Sequence, residues 1–142
     1  MKEPKGMLTW KIDNLSGLKE GFHFSEVFTV RELQWKLKLY RQGHSSEKGK
    51  RLSLCLCLND SSKLCPGHKL YFECKLLIRD QAHGNHYEAN FDIWLSALLI
   101  GGGFNGFMPL RTLNDASKGF LVNDTLIIEG KIILLAVVKD FS

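Results

Sequence analysis

Along most of the chain, apolar and polar residues alternate with a period of two, the pattern of strands that bury one face. Leu8-Thr9-Trp10-Lys11-Ile12 is the first such run, and Asp13-Asn14 and Ser16-Gly17 close it as a turn or loop. Phe22 to Phe24 is aromatic around His23. Glu26-Val27-Phe28-Thr29-Val30, rich in β-branched and aromatic residues, predicts the next strand. Arg31-Glu32-Leu33-Gln34 predicts a hairpin connection, although it lacks the glycine that such turns favour. Trp35 to Arg41 is the cleanest strand, with Trp35, Leu37 and Leu39 facing in and Lys36, Lys38 and Tyr40 facing out. Gln42 to Lys50 predicts an exposed loop. Leu52 to Leu58 again alternates strictly, and Asn59 to Ser62 ends it ahead of the turn signal Cys65-Pro66-Gly67.

Leu70 to Ile78, less regular, and Tyr87 to Ser96 predict two further strands around a loop from Arg79 to His86. Trp94 and Leu95 are neighbours, so alternation sends them to opposite faces. Leu98-Leu99-Ile100, followed by three glycines, has no clear period. It is either an apolar stretch at an exposed sheet edge, open to pairing, or a segment tucked into the core. Pro109 suits the start of a helical turn over Leu110 to Leu113, and Asn114 to Gly119 reads as a loop. Thr125 to Val138 predicts a long final strand with a bulge or bend at Glu129-Gly130. Seven to nine strands with no long helix predict an all-β sandwich or barrel.

Composition narrows the functional classes. A chain of 142 residues suits one domain that needs no disulfide or metal staple. Its net charge of +4 is too small and too dispersed to predict nucleic-acid binding. The apolar runs Ala97 to Ile100 and Ile132 to Val138 are too short for a membrane span, and the charged N-terminus lacks the apolar region of a signal peptide. Cys55 and Cys57 alternate with Leu54, Leu56 and Leu58, so both share one strand face. With Cys65 and Cys74 they read as free thiols of a reducing, cytoplasmic compartment rather than as two bridges. Their spacing, even with His68 added, does not match that of structural zinc sites, and no metal or cofactor is expected. No nucleophile, base and orienting acid can be assembled, so no enzyme activity is expected. Trp10 and Trp35 read as core. Lys36, Lys38, Arg41, Lys48, Lys50 and Arg51 read as a solvated face and loop.

Taken in order, several motifs resemble the meprin and TRAF homology (MATH) domain, in the divergent form abundant in plants. They are Trp10-Lys11-Ile12-Asp13-Asn14, Ser25 to Val30, Trp35-Lys36-Leu37, Gly103-Phe104 with Phe107-Met108-Pro109-Leu110, and above all Gly119-Phe120-Leu121-Val122-Asn123-Asp124-Thr125. The resemblance implies an eight-stranded antiparallel β-sandwich over residues 7–139, with tails at 1–6 and 140–142. It also implies a non-enzymatic module that docks a short extended peptide or a partner protein at a sheet edge. In such docking, backbone bonds supply affinity and pockets read alternate side chains. The implied context is an adaptor or substrate-recognition role in ubiquitin-linked protein turnover, with no nucleic-acid or membrane partner. The alternative is a self-association or scaffold module pairing with other MATH domains. A monomer with at most weak self-association is the default, because no heptad pattern accompanies the domain.

The chain departs from the family at the implied site. The Asp-Trp-Gly-Phe of the best-known peptide binders falls on Gly101-Gly102-Gly103-Phe104, so the aspartate and tryptophan are lost and only Gly103 and Phe104 carry over. The expected docking residues are Phe104 and Gly103 with the backbone of Gly101 and Gly102, and Tyr71, Phe72 and Trp94 as walls. A second departure replaces the family's glycine pair after Val30 with Arg31-Glu32-Leu33.

Overall fold

The computed structural model describes residues 6–60, 67–96 and 99–139. The alternating runs become nine strand segments: β1 (Gly6–Ile12), β2 (His23–Phe24), β3 (Phe28–Val30), β4 (Leu33–Tyr40), β5 (Arg51–Leu58), β6 (His68–Ile78), β7 (Tyr87–Leu95), β8 (Gly101–Pro109) and β9 (Leu126–Lys139). One helical turn, α1 (Leu110–Leu113), follows β8, with Pro109 at its entry. Every strand pairing is antiparallel. One sheet has the order β1-β9-β6-β7; the other has β2-β4-β5-β8, with β3 also on β4.

β2 and β3 are one edge strand with a break in it. β2 lies opposite Leu39 and Lys38 of β4, and β3 lies opposite Trp35, Gln34 and Leu33. At the break, buried Ser25 bridges the gap. Its N–H donates to the Leu37 carbonyl at 2.9 Å, and its hydroxyl accepts the Leu37 N–H at 2.8 Å. Counted this way, the sandwich has the eight strands expected.

The two sheets close on a shared apolar layer. Trp35, Leu37 and Leu39 of β4, Leu54, Leu56 and Leu58 of β5, and Leu70, Phe72 and Leu76 of β6 are all buried. β6 alternates without a break from Leu70 to Ile78, more strictly than β5, although its sequence reads as less regular. Each such side chain contributes about 1.5–3 kcal/mol of burial, which is what holds the layers together.

Two local features differ from the sequence reading. β9 runs straight through Glu129-Gly130, both of which pair with β1 and β6. The irregularity instead lies at Ile133, between the Leu134–Glu73 and Ile132–Cys74 pairs. Gly130 has a packing reason: a Cβ there would sit 2.8 Å from Leu37 Cδ2 of the facing sheet. Small size at that point lets the sheets approach, so the glycine marks a close contact and not a bend.

The other feature is the β3–β4 hairpin. It closes through Arg31 (φ 51°) and Glu32 (φ 67°), two left-handed residues between paired Val30 and Leu33. Two consecutive positive φ values match the tight turn that favours Asn-Gly, so this chain carries strain where the family's glycines would carry none. Replacing Arg31-Glu32 with Asn-Gly is expected to raise stability by about 1–2 kcal/mol, read from the denaturant midpoint at unchanged slope.

The Asn123-Asp124 corner is a turn of the same kind, with φ values of 51° and 60°. The Asp124 carboxylate accepts the Ser16 N–H at 3.1 Å and the Ser16 hydroxyl at 2.6 Å, and the Thr125 hydroxyl donates to Asp13 at 2.8 Å. The corner therefore ties the loop after β1 to the start of β9. Nearby, the loop after β6 winds around buried Asp80, which accepts the N–H groups of Ala82 and His83 at 2.9 Å each. Burial alone would push the Asp80 carboxyl up, but these bonds, with those from Asn85 and the His83 ring, hold it below its ordinary range.

Candidate docking edge

β8 is the last strand of its sheet and β7 is the last strand of the other. Both ends lie on the same side of the sandwich. A Cβ on Gly102 would sit 2.8 Å from Ile93 Cδ1 and 3.2 Å from Phe91 Cε2, both on β7. β8 therefore has one flank on β5 and, among the described residues, no strand on the other. An open strand flank presents unpaired backbone donors and acceptors, ready to pair with an extended chain.

The glycine run divides by face. Gly101 and Gly103 lie opposite Cys57 and Cys55 on the outer face of the sheet, while Gly102 and Phe104 turn toward the gap between the sheets. A Cβ on Gly103 would stand 2.4 Å from the Leu54 carbonyl oxygen and 2.5 Å from Cys55 Cα, so the strands meet there only because no side chain intervenes. On Gly101 it would stand 2.9 Å from the Leu56 carbonyl oxygen.

Beyond Phe104 the strand swells. Leu54 lies opposite Phe104 and Leu52 opposite Met108, so three β8 residues, Asn105 to Phe107, face the single residue Ser53. Side chains of β5 take up the freed carbonyls. The Ser53 hydroxyl donates to the Asn105 carbonyl, and Arg51 donates from Nε to the Gly106 carbonyl at 3.0 Å. Arg51, expected on a solvated face and loop, is thus engaged in holding the bulge. Sequence reasoning missed this feature; the Asn105-Gly106 pair between Phe104 and Phe107 was its signal.

Phe104 is half-buried in an aromatic row that runs from the core to this margin. Ring centroids are 5.1 Å apart for Trp35–Phe72, 5.8 Å for Phe72–Phe91, 5.6 Å for Phe91–Phe104 and 5.6 Å for Phe104–Phe107. Several of these pairs are edge-to-face, a geometry that adds attraction beyond area burial.

The other expected residues do not gather here. Phe72, expected as a groove wall, is 0% exposed and belongs to the core, because alternation along β6 turns it inward and turns Tyr71 out. Tyr71 and Trp94 are cross-strand partners on the outer face of the four-stranded sheet, with ring centroids 5.0 Å apart. Trp94 is 49% exposed and Leu95 is buried, which settles which of the two neighbours faces out. The Tyr71 hydroxyl donates to Asp92 at 2.9 Å and Glu73 at 3.0 Å, and those acids push its phenol well above the ordinary value. Leu99 and Ile100 are exposed at the approach to β8, whereas Leu98 lies outside the described residues. Trp10 is partly buried against the core and Trp35 fully so.

Cys55 and Cys57 share the outer face as expected, and Cys74 is buried on the other sheet, where desolvation pushes its thiol up to about 12. Cys65 lies outside the described residues. Among the described residues no three His, Cys, Asp or Glu side chains converge as metal ligands, and no helix is long and apolar enough to cross a membrane.

Comparison with known proteins agrees with this architecture. A sequence model of the MATH domain matches residues 7–132. Ubiquitin C-terminal hydrolase 12 of Arabidopsis thaliana is 30% identical over 98% of this chain, which spans 12% of that protein. A MATH domain and coiled-coil domain-containing protein of the same plant, At1g31390, is 30% identical over 92% of this chain and 47% of its own length. The chain thus spans half or less of these curated relatives, and the hydrolase match transfers no catalytic activity. Among solved structures, Notothenia coriiceps TRAF5 superposes with a TM-score of 0.75 over 98% of this chain and 78% of that one, at 20% identity, which supports the fold. The chain belongs to the MATH domain family of non-catalytic protein-interaction modules.

Proposed function

We propose that this domain, over residues 7–139, docks a short extended peptide or partner segment as an added strand along β8. The observation that carries the reading is the open flank of β8, glycine-lined on its outer side and aromatic on its inner side. A chain pairing with Gly101 to Phe104 would send alternate side chains toward Phe91 and Phe104 and the others over the glycines. The ligand class that fits is an extended segment with an apolar residue at every second position. The lost tryptophan and aspartate remove side-chain reading at Gly101 and Gly102, so backbone pairing and the Phe104 contact carry more of the recognition. By relationship to hydrolases of the ubiquitin pathway, the context is substrate recognition or adaptor work in protein turnover within the cytoplasm. The domain acts as a monomer, without nucleic acid or membrane.

A library of extended peptides tests this. Peptides with alternating apolar residues are expected to be retained, and Phe104→Ala is expected to weaken them at least about tenfold, roughly 1.4 kcal/mol. Tyr71→Ala, on the opposite outer face, is expected to leave them unchanged. Equal binding by wild type and Phe104→Ala would remove Phe104 from the site. A second reading, pairing of β8 with another copy, is favoured by exposed Leu99 and Ile100 beside that strand. Concentration-dependent sedimentation of the purified chain distinguishes it.

A further inference from the structure

The outer face of the five-stranded sheet holds thiols and lysines that the proposed peptide docking does not use. Cys55 and Cys57 stand two residues apart on β5, both partly exposed, with Sγ atoms 3.8 Å apart. On β4, Lys38 lies opposite Cys55 and Lys36 opposite Cys57. On β8, Gly103 lies opposite Cys55 and Gly101 opposite Cys57. Each thiol therefore has an ammonium-bearing neighbour on one side and no side chain on the other. The lysines are held in turn: Lys36 Nζ sits 4.0 Å over the Phe24 ring and Lys38 Nζ 4.4 Å over the Phe22 ring. Such contacts favour defined positions for both cations beside the thiols.

We propose that this pair is a modification site at which Cys57 forms a mixed disulfide with an anionic low-molecular-weight disulfide. The Cys57 thiolate attacks one sulfur of that molecule. A Cys57–sulfur bond forms as the original sulfur–sulfur bond breaks, and the electron pair leaves on the second sulfur as a thiolate. The incoming disulfide is the only oxidant required. Either thiol could donate in the 3.8 Å contact, but both ammonium groups act on Cys57 and only Lys38 acts on Cys55, so the negative charge is favoured on Cys57 and Cys55 is the thiol that keeps its proton. The hydrogen bond from Cys55 is the largest influence on Cys57; with Lys38 and Lys36 it outweighs burial and brings the thiol down to about 7. The same coupling drives Cys55 up. The charged and titratable groups facing Cys57 are Cys55 on its own strand and Lys36 and Lys38 on β4, while β8 contributes only glycine. The two lysines also select an anionic reagent over a cationic one.

The adduct persists, because Cys55 cannot readily displace it. Residues two steps apart on a strand stand about 6.6 Å apart along it. A disulfide needs Cβ atoms within about 3.5–4.5 Å, so a Cys55–Cys57 bond would buckle β5. Cys55 is thus an activating neighbour and not a resolving thiol. This inference stands independently of the peptide edge.

The test uses the folded chain with glutathione disulfide, and with cystamine as its cationic counterpart, followed by peptide-mapping mass spectrometry. One glutathione adduct is expected, on Cys57, forming about tenfold faster near neutral pH than on the urea-unfolded chain. The rate is expected to rise with pH through a midpoint below that of an ordinary thiol. Cys55→Ala should move that midpoint upward, and Lys36→Gln with Lys38→Gln should abolish the preference for glutathione disulfide over cystamine, with circular dichroism confirming that each variant folds. A first adduct on any other cysteine, a rate no faster than in the unfolded chain, or a Cys55–Cys57 disulfide as the product would each overturn the proposal.

Discussion

Phe72→Ala is expected to destabilise the fold by about 3–5 kcal/mol, measured by guanidinium or urea unfolding. Phe72 is fully buried and sits between Trp35 and Phe91 in the aromatic row. Truncation removes the ring's burial and leaves a cavity between two tightly packed sheets, which their strand pairing keeps from collapsing. For a domain whose total stability is of the order of 5–15 kcal/mol, the loss consumes a large share of it. Tyr71→Ala, one residue away but on the outer face, is expected to cost far less. A loss below about 1 kcal/mol for Phe72→Ala, combined with loss of peptide binding, would return Phe72 to the groove wall.

The second large effect is at Gly103. Gly103→Val would place a branched side chain where a Cβ alone meets the Leu54 carbonyl oxygen at 2.4 Å and Cys55 Cβ at 2.6 Å. Two of the three nearest atoms are backbone and cannot rotate away, so β8 must peel from β5. Overpacking of this kind costs about 3 kcal/mol. Because the same backbone forms the proposed docking edge, the variant should lose peptide binding together with the β5–β8 pairing, seen as faster amide exchange along both strands. Unchanged exchange and unchanged stability would mean that the strands accept a side chain there.

The inward faces of the central strands were legible in the sequence. Alternation in Trp35 to Tyr40 and in Leu52 to Leu58 identified both inward faces, because a half-buried strand imposes a period of two on its residues. Asn123-Asp124 was legible only as part of the motif that carries the family resemblance; its left-handed turn, which asparagine and aspartate tolerate, emerges in the structure. Placing Tyr71 and Phe72 together as walls overlooks the alternation of β6, because neighbours on a strand cannot share a face. The three-residue bulge at Asn105 to Phe107 was not legible. It depends on Ser53 and Arg51, more than fifty positions away, supplying donors to freed carbonyls. Nor did the cysteine pattern disclose the flanking lysines and glycines, because strand register, not spacing along the chain, brings those residues together. Gly130 shows the same limit: its reason is Leu37 on the facing sheet, and from the sequence alone a glycine in a strand reads as a bend.

The proposed function requires β8 to receive a partner chain. The most direct measurement is amide-resolved nuclear magnetic resonance of the isotope-labelled domain, titrated with the tightest peptide from the library, together with hydrogen exchange of the complex. Shifts and new exchange protection are predicted at the amides of residues 101–105, with side-chain shifts at Phe91, Ile93 and Phe104. Shifts confined to the Tyr71–Trp94 face or to the β2–β3 edge, with β8 amides exchanging as fast as in the free domain, would contradict it.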